Sequence, residues 1–263
     1  MRILITNDDG ITAPGIAALW RAVRDLGEVT VVAPDSERSA VGHAITLADP
    51  LRVADYEGPD GLVGHAVSGT PADCVKIGVR AILRQLPDLV LSGINQGANM
   101  GTNVLYSGTV SAATEAAMLG LPAAAFSLAD RHFPDFSAAA GYARRLALEI
   151  ARHGLPRGVS LNVNVPPLPA EEIRGAVLTR QGRVRVAEQF DRRTDPRERH
   201  YYWMVAERLE DEAAAGDQVD DAAVRAGFIS VTPINFDLTD DGMLASMGRW
   251  ELDPGTFRNG RGR

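Results

Sequence analysis

Two aspartates, Asp8 and Asp9, stand side by side after the apolar run Ile3-Leu4-Ile5 and ahead of Gly10. On a regular strand adjacent side chains point to opposite faces, so these carboxylates converge only if the strand ends between them. Convergent carboxylates repel unless a proton or a cation stands between them. A hard divalent metal is the simplest occupant, which marks this place as the expected active centre. Two other segments offer oxygen donors. Ser39 lies in the loop 34–43, and Asn95 follows the run Leu89-Val90-Leu91-Ser92. Two carboxylates, an amide and a hydroxyl suit Mg²⁺, Mn²⁺ or Ca²⁺ rather than structural zinc. Each feature also has an ordinary reading: Asp-Gly makes a turn, Asn95 caps a loop, and Ser39 faces solvent. Their shared place at the carboxyl ends of strands, where open α/β sheets bind ligands, favours the joint reading.

A second cluster, Tyr106-Ser107-Gly108-Thr109-Val110-Ser111, precedes a helix. Gly108 permits close approach, and a helix N-terminus offers unpaired N–H groups and a positive dipole end, which suits a phosphate. An ordinary N-cap by Ser107 or Thr109 explains the same residues. The glycine-rich stretch 93–101 matches neither the Walker A pattern nor G-x-G-x-x-G after the first strand. ATP-dependent transfer and NAD-dependent hydride chemistry therefore lose support. The five histidines show no zinc spacing, and only His43 shares a loop with a candidate ligand. No G-x-S-x-G elbow is present. The arginine-rich stretch 192–199 before Tyr201-Tyr202-Trp203 reads as a solvated arm at a subunit contact, with nucleic acid as the alternative.

These residues need a frame, and the first half of the chain supplies one by alternating strand and helix signals. Helices are expected over 13–26, 71–86, 109–119 and 137–153, and strands over 29–33, 89–92, 123–126 and 159–165. Pro14 suits a first turn and Gly27 a stop. Thr70 is the expected cap of the second helix, whose core stripe is Val75, Val79, Ile82, Leu83 and Leu86. The alternation implies a mostly parallel sheet with helices on both faces. Beyond residue 166 strand-like pieces (183–187, 201–205, 228–231) alternate with charged stretches, which reads as an extension packed on the core with parts reaching a neighbouring subunit. The end, Asn259-Gly260-Arg261-Gly262-Arg263, is expected to be disordered.

Composition narrows the classes further. The chain has 263 residues and a formal charge of −7, with 34 acidic against 27 basic side chains. A binder of duplex DNA or RNA usually carries a basic excess, so that class is disfavoured. An acidic protein that handles phosphate must build positive potential locally, from a metal or from helix N-termini. The single cysteine, Cys74, falls in an expected helix and reads as a buried, inert thiol in a reducing compartment. The N-terminus shows a strand rather than a signal peptide, and no apolar run approaches the roughly 20 residues of a membrane span. A cytoplasmic protein without membrane contact is expected.

Taken together the motifs closely resemble the survival-protein-E (SurE) family of nucleotidases. The resemblance rests on Ile3 to Gly10 with Pro14-Gly15-Ile16, the loop 34–46, Gly69-Thr70-Pro71-Ala72-Asp73-Cys74-Val75, Ser92 to Asn99, Tyr106-Ser107-Gly108-Thr109-Val110, and Ser230-Val231-Thr232-Pro233. It implies a divalent-metal-dependent phosphatase acting on nucleoside 5′- and 3′-monophosphates, with short polyphosphate as a further substrate. The implied metal ligands are Asp8, Asp9, Ser39 and Asn95, for one Mg²⁺ or Mn²⁺ per subunit, with Ca²⁺ able to occupy the site. Asn95, Asn99, Ser107, Gly108 and Thr109 are the expected phosphate-binding residues, and Asp8 and Asp9 the catalytic ones. The resemblance also implies an α/β fold with a Rossmann-like, doubly wound core and a homodimer or homotetramer built through a C-terminal β-rich extension used in oligomerisation. One domain is expected over 1–263, with a core over 1–166 and the extension over 167–263. The stretch 187–221 matches the family only loosely. Direct attack by water is favoured over an aspartyl-phosphate intermediate. Two rival readings are a metal-dependent transferase acting on a nucleotide-linked sugar and a nucleotide-binding regulator without catalysis.

Overall fold

A computed structural model describes residues 1–183, 185–210, 218–248 and 250. In chain order the elements are β1 (Arg2–Thr6), α1 (Pro14–Val23), β2 (Glu28–Pro34), β3 (Val53–Glu57), β4 (Val63–Val67), α2 (Pro71–Ile77), β5 (Leu89–Gln96), α3 (Gly108–Met118), β6 (Ala123–Leu128), α4 (Ser137–His153), β7 (Val159–Val165), β8 (Ala176–Leu178), β9 (Arg185–Thr194), β10 (His200–Glu210), α5 (Asp220–Arg225), β11 (Ile229–Asn235) and α6 (Asp241–Met247). The segment 259–263, expected to be disordered, lies outside the described residues.

Among the described residues nine strands form one sheet in the order β3-β4-β2-β1-β5-β6-β7-β11-β8. The run from β4 to β7 is parallel throughout, while β3 and β11 enter antiparallel to β4 and β7. The chain leaves β1 toward β2 and β4, then returns to place β5 on the other side of β1. Such a reversal opens a crevice at the carboxyl ends of the two strands. Thr6 pairs with Ser92, so β1 and β5 run level into that crevice.

Both faces of the sheet are covered, which explains why its central strands are apolar throughout rather than alternating. Ile3 and Ile5 pack with Ile16, Leu19 and Val23 of α1 and with Ala143, Ala147 and Ile150 of α4. Leu4 points the other way, into a cluster with Val75 of α2 and Val110, Ala113 and Ala116 of α3. The period of two along β1 thus divides the core between two layers. Gly15 lets α1 approach β5 closely: a Cβ there would stand 1.9 Å from the Ile94 carbonyl oxygen. Among the described residues no helix is long and apolar enough to cross a membrane.

Several expectations are corrected. The helix expected over 71–86 ends as α2 at Ile77 and continues only as a wider turn to Ile82. Leu86, assigned to its core stripe, is 55% exposed. Pro87 follows it, and the residue before a proline is sterically turned away from helical geometry. Strands β3 and β4 carry no expectation at all. They are short, charged in part, and lie at the sheet margin, where alternation is weak. The expected C-terminal pieces are longer than anticipated, and their destinations differ. β11 and β8 extend the main sheet, whereas β9 and β10 form a separate antiparallel pair.

The α2 start is built as expected from Thr70. Its hydroxyl accepts the Asp73 N–H at 3.2 Å, and the Asp73 carboxylate accepts the Thr70 N–H at 2.9 Å. Asp73 also accepts the Thr46 N–H at 3.1 Å and the Thr46 hydroxyl at 2.6 Å, which staples the loop 43–46 to the helix. Burial alone would raise this carboxyl, but the Thr46 and Thr70 bonds outweigh it and hold it below the usual range. A depressed carboxyl adds stability above its unfolded value and loses it as the pH falls through the folded one. Asp73→Ala is therefore expected to cost about 1–3 kcal/mol near neutral pH. Thermal melts should show the gap to the parent narrowing below about pH 4. An equal gap at pH 7 and pH 3 would contradict this account.

Candidate active site

Asp8 lies two residues beyond the end of β1 and is 5% exposed. It meets the N-terminus of α3. The Thr109 hydroxyl donates to Asp8 Oδ1 in a short bond, and the Gly108 and Thr109 amides lie on the same carboxylate. Gly108 is required by this contact, because a Cβ there would stand 2.7 Å from Asp8 Cβ. Burial pushes the Asp8 carboxyl up, and the Thr109 and backbone donors act against it.

Asp9 is held more loosely. The Gln96 N–H donates to its Oδ2 at 3.3 Å, which fixes it beside the end of β5. Burial, and then the neighbouring Asp8 charge, push the Asp9 carboxyl up to about 6. Glu37 adds to this rise, and Arg131 opposes it from the loop after β6.

Asn95 stands at the end of β5, where the pairing with β6 shifts register between Ser92 and Asn95. Such a bulge re-aims side chains at a sheet margin. Asn95 Nδ2 donates to the Gly97 carbonyl at 2.7 Å, which turns Oδ1 away from that loop as an acceptor. The loop after β2 passes along the same rim. Its Arg38 N–H donates to the Asp8 carbonyl at 2.7 Å, and Gly42 N–H donates to the Tyr106 carbonyl at 3.0 Å. Ser39 is exposed, and its hydroxyl donates to Glu37 Oε1 at 2.5 Å. The backbone thus brings the Ser39 loop to the carboxylates, while the Ser39 side chain bonds within its own loop.

The expected phosphate cluster takes up several structural duties. Ser107 Oγ accepts the Val110 N–H at 3.1 Å and so caps α3, which leaves its own proton to donate elsewhere. The single hydroxyl proton of Thr109 goes to Asp8. Asn99 is 8% exposed and pinned to β7: its N–H donates to Asn164 Oδ1 at 2.8 Å, and its carbonyl accepts from Asn162 Nδ2 at 2.8 Å and Asn164 Nδ2 at 3.0 Å. Its Nδ2 donates to Ser127 Oγ at 2.9 Å.

His43 faces α3 rather than the carboxylate pair. Its Nε2 lies 2.9 Å from Glu115 Oε2, and Lys76 Nζ lies 2.6 Å from the other oxygen. Burial would raise the Glu115 carboxyl, but the His43 and Lys76 bonds outweigh it and hold it below the usual range. This trio fastens the loop that carries Ser39. Burial pushes the Cys74 thiol far up, which makes it a poor nucleophile, in line with the inert reading.

Sequence reasoning missed Gln96, Arg131, Asn162 and Asn164. The last two were legible in principle, because Val159-Ser160-Leu161-Asn162-Val163-Asn164-Val165 places amides at alternate positions of a buried strand. A polar row inside a central strand demands partners, and the loop at Asn99 supplies them.

Among the described residues no three His, Cys, Asp or Glu side chains cluster as a metal cage. An ion at Asp8 and Asp9 would therefore draw its remaining ligands from amide, hydroxyl, backbone or water oxygens, as hard cations do. The two neighbouring carboxyls, both with raised proton affinity, have the electrostatic deficit that a divalent cation removes. The donor set fits such an ion.

Comparison with known proteins agrees with this layout. The family model described as survival protein SurE matches residues 3–188. A protein named 5′-nucleotidase SurE from Syntrophobacter fumaroxidans is 52% identical over 253 residues, spanning 96% of this chain and 100% of the relative. A protein of the same name from Heliobacterium modesticaldum is 50% identical over 252 residues, spanning 95% of this chain and 92% of the relative. The crystal structure of the SurE protein from Aquifex aeolicus superposes with a TM-score of 0.80 at 41% identity, covering 94% of this chain and 98% of that one. With a crevice of this build and likeness that spans nearly its whole length, the chain belongs to the survival protein SurE family.

Proposed function

We propose that this protein is a divalent-metal-dependent 5′-nucleotidase that hydrolyses nucleoside 5′- and 3′-monophosphates to nucleoside and phosphate, with short polyphosphate as a second substrate class. The observation that carries the reading is the pair Asp8 and Asp9 at the β1–β5 crevice, with Asp8 directly against the N-terminus of α3 and Asp9 against the end of β5. The name borne by the relatives supports the nucleotidase part.

Asp8, Asp9, Ser39 and Asn95 would hold one Mg²⁺ or Mn²⁺ ion, with Ca²⁺ as a possible substitute. When bound, that ion polarises a phosphoryl oxygen as a Lewis acid. The Ser107 hydroxyl and the positive end of α3 at Gly108 and Thr109, whose amides also serve Asp8, would face the remaining phosphoryl oxygens. The Asn95 and Asn99 amides would complete the phosphate site, Asn99 by redirecting the Nδ2 that bonds Ser127. Asp9, tied to the fold by one bond of 3.3 Å, is free to orient the attacking water and accept its proton. Asp8 has no such freedom. With both carboxylates committed to the ion, direct attack by water fits better than an aspartyl-phosphate.

The same reading treats the chain as one catalytic unit, with a core over 1–166 and an extension over 167–263. It assigns a homodimer or homotetramer built through the extension. Its support is the β9–β10 pair, on one face of which Phe190, Tyr202 and Met204 are 53–60% exposed. Neighbouring exposed apolar side chains of this kind usually mark a contact surface.

Phosphate release from AMP and GMP with Mn²⁺ or Mg²⁺ is the direct assay. Asp8→Asn and Asp9→Asn are each expected to lower it at least about a hundredfold, with melting temperatures near the parent's. Thorough chelation should abolish turnover, and re-addition of Mn²⁺ should restore it. Turnover that survives chelation would remove the metal from the reaction. Gly108→Ala should push Asp8 aside and cut kcat/KM about tenfold or more, since small displacements of reacting groups are costly. Unchanged kinetics in this variant would show that the α3 contact does not position Asp8.

A further inference from the structure

Asp220 begins α5, far along the chain from the crevice, and its side chain is fully buried. Its two oxygens accept three backbone N–H groups. Oδ1 receives Gly182 and Asp221, both at 2.9 Å, and Oδ2 receives Gly101 at 3.0 Å. Gly101 lies two residues beyond Asn99 and six before Ser107. Its carbonyl is held as well, accepting from Gln181 Nε2 at 2.8 Å. Both polar groups of one loop residue are thus taken by the C-terminal part of the chain. The two holders are kept in step by their own backbones: Arg180 N–H donates to the Gln218 carbonyl at 2.9 Å, and Asp220 N–H to the Arg180 carbonyl at 3.0 Å. Gly101 has φ +55°, a conformation that favours glycine and needs such support.

We propose that Asp220 is a positioning residue for substrate binding: through Gly101 it fixes the loop between Asn99 and Ser107, and so ties the phosphate-binding edge of the crevice to the C-terminal extension. This rests on the nucleotidase reading above. A carboxylate is needed because its oxygens face N–H groups on both sides. An amide in its place can keep oxygen toward Gly182 and Asp221, but then turns its own N–H₂ group on the Gly101 N–H. Asp220→Asn therefore releases the loop selectively. Without its anchors the loop samples other backbone states, and the donors around Asn99 and Ser107 are no longer prearranged.

The test pairs hydrogen exchange with kinetics on Asp220→Asn in the full chain. The amides of residues 100–105 should exchange about tenfold faster or more, the size of one lost hydrogen bond to a charged group. Over the same change kcat/KM for AMP with Mn²⁺ should fall about tenfold, mainly through KM. The Mn²⁺ concentration for half-maximal activity should stay within about twofold, because Asp8, Asp9 and Asn95 are untouched. A general loss of stability would shift all three readouts together. Native exchange in 100–105, or faster exchange with parental kcat/KM, would overturn the proposal. If Asp220→Asn does not fold, Gln181→Ala removes only the donor to the Gly101 carbonyl. It should show the same pattern at about threefold, and parental exchange and kinetics there would equally overturn the proposal. Should the parent chain itself release no phosphate under any metal, the nucleotidase reading fails. The exchange measurement then still decides whether Asp220 anchors the loop.

Discussion

The structure depends on how a buried carboxylate at the end of β1 is kept in place. Asp8 has left the sheet's hydrogen-bond ladder, is almost fully buried, and has another acid as its neighbour. Burying such a group without partners would cost several kcal/mol. The fold resolves this by bringing the N-terminus of α3 onto it, with the Thr109 hydroxyl as the closest donor. A helix N-terminus is the one place in a protein where several unpaired N–H groups already converge. The strand and the helix are 101 residues apart in sequence at this contact. The contact therefore defines the crevice and locks two layers of the molecule together.

The packing of α3 follows from that demand. The helix has to come close to the sheet, and its inner surface is built of Ala112, Ala113, Ala116 and Ala117. Larger side chains would hold it too far away for Gly108 to touch Asp8. The one large polar residue on the buried part, Glu115, is balanced by Lys76 and His43. Its charge is thereby made useful, since His43 draws in the loop after β2. On the opposite face Gly15 plays a comparable part, admitting α1 against the Ile94 carbonyl.

A common device recurs around the crevice. Several segments that reach it are tied down by a carboxylate or an amide that accepts a backbone N–H group. Asp73 does this for the segment at Thr46, Asn164 for Asn99, Asp220 for Gly101 and Asp9 for Gln96. An ionised or amide oxygen satisfies loop N–H groups that no regular ladder can reach. It also restricts the loop without covering the solvent side. A site that must admit a polar substrate gains from such anchoring, because the restraint comes from behind the loop and the mouth remains open.

The sequence alone determined the alternation of strands and helices, the two-faced sheet and the place where β1 ends. Those features rest on local causes: apolar runs at strand length, Pro14 and Thr70 at helix starts, and Gly10 after the acid pair. α4 and β7 have the bounds expected from periodicity, because both are long and strongly patterned. The placement of Asp8 and Asp9 after β1, and of Asn95 at the end of the adjacent β5, was also legible, since strand ends in such sheets share an edge. Tertiary structure decided how each polar side chain spends its few bonds. Thr109 and Ser107 look equivalent in sequence, yet one hydroxyl donates to Asp8 and the other accepts from its own helix. Ser39 turns to Glu37, and Asn99 is taken by Asn162 and Asn164. The antiparallel entry of β11 and the reach of Asp220 to Gly101 were equally invisible. A hydroxyl has one proton to give, and its recipient is chosen by distances that exist only once segments far apart in the chain have been packed together.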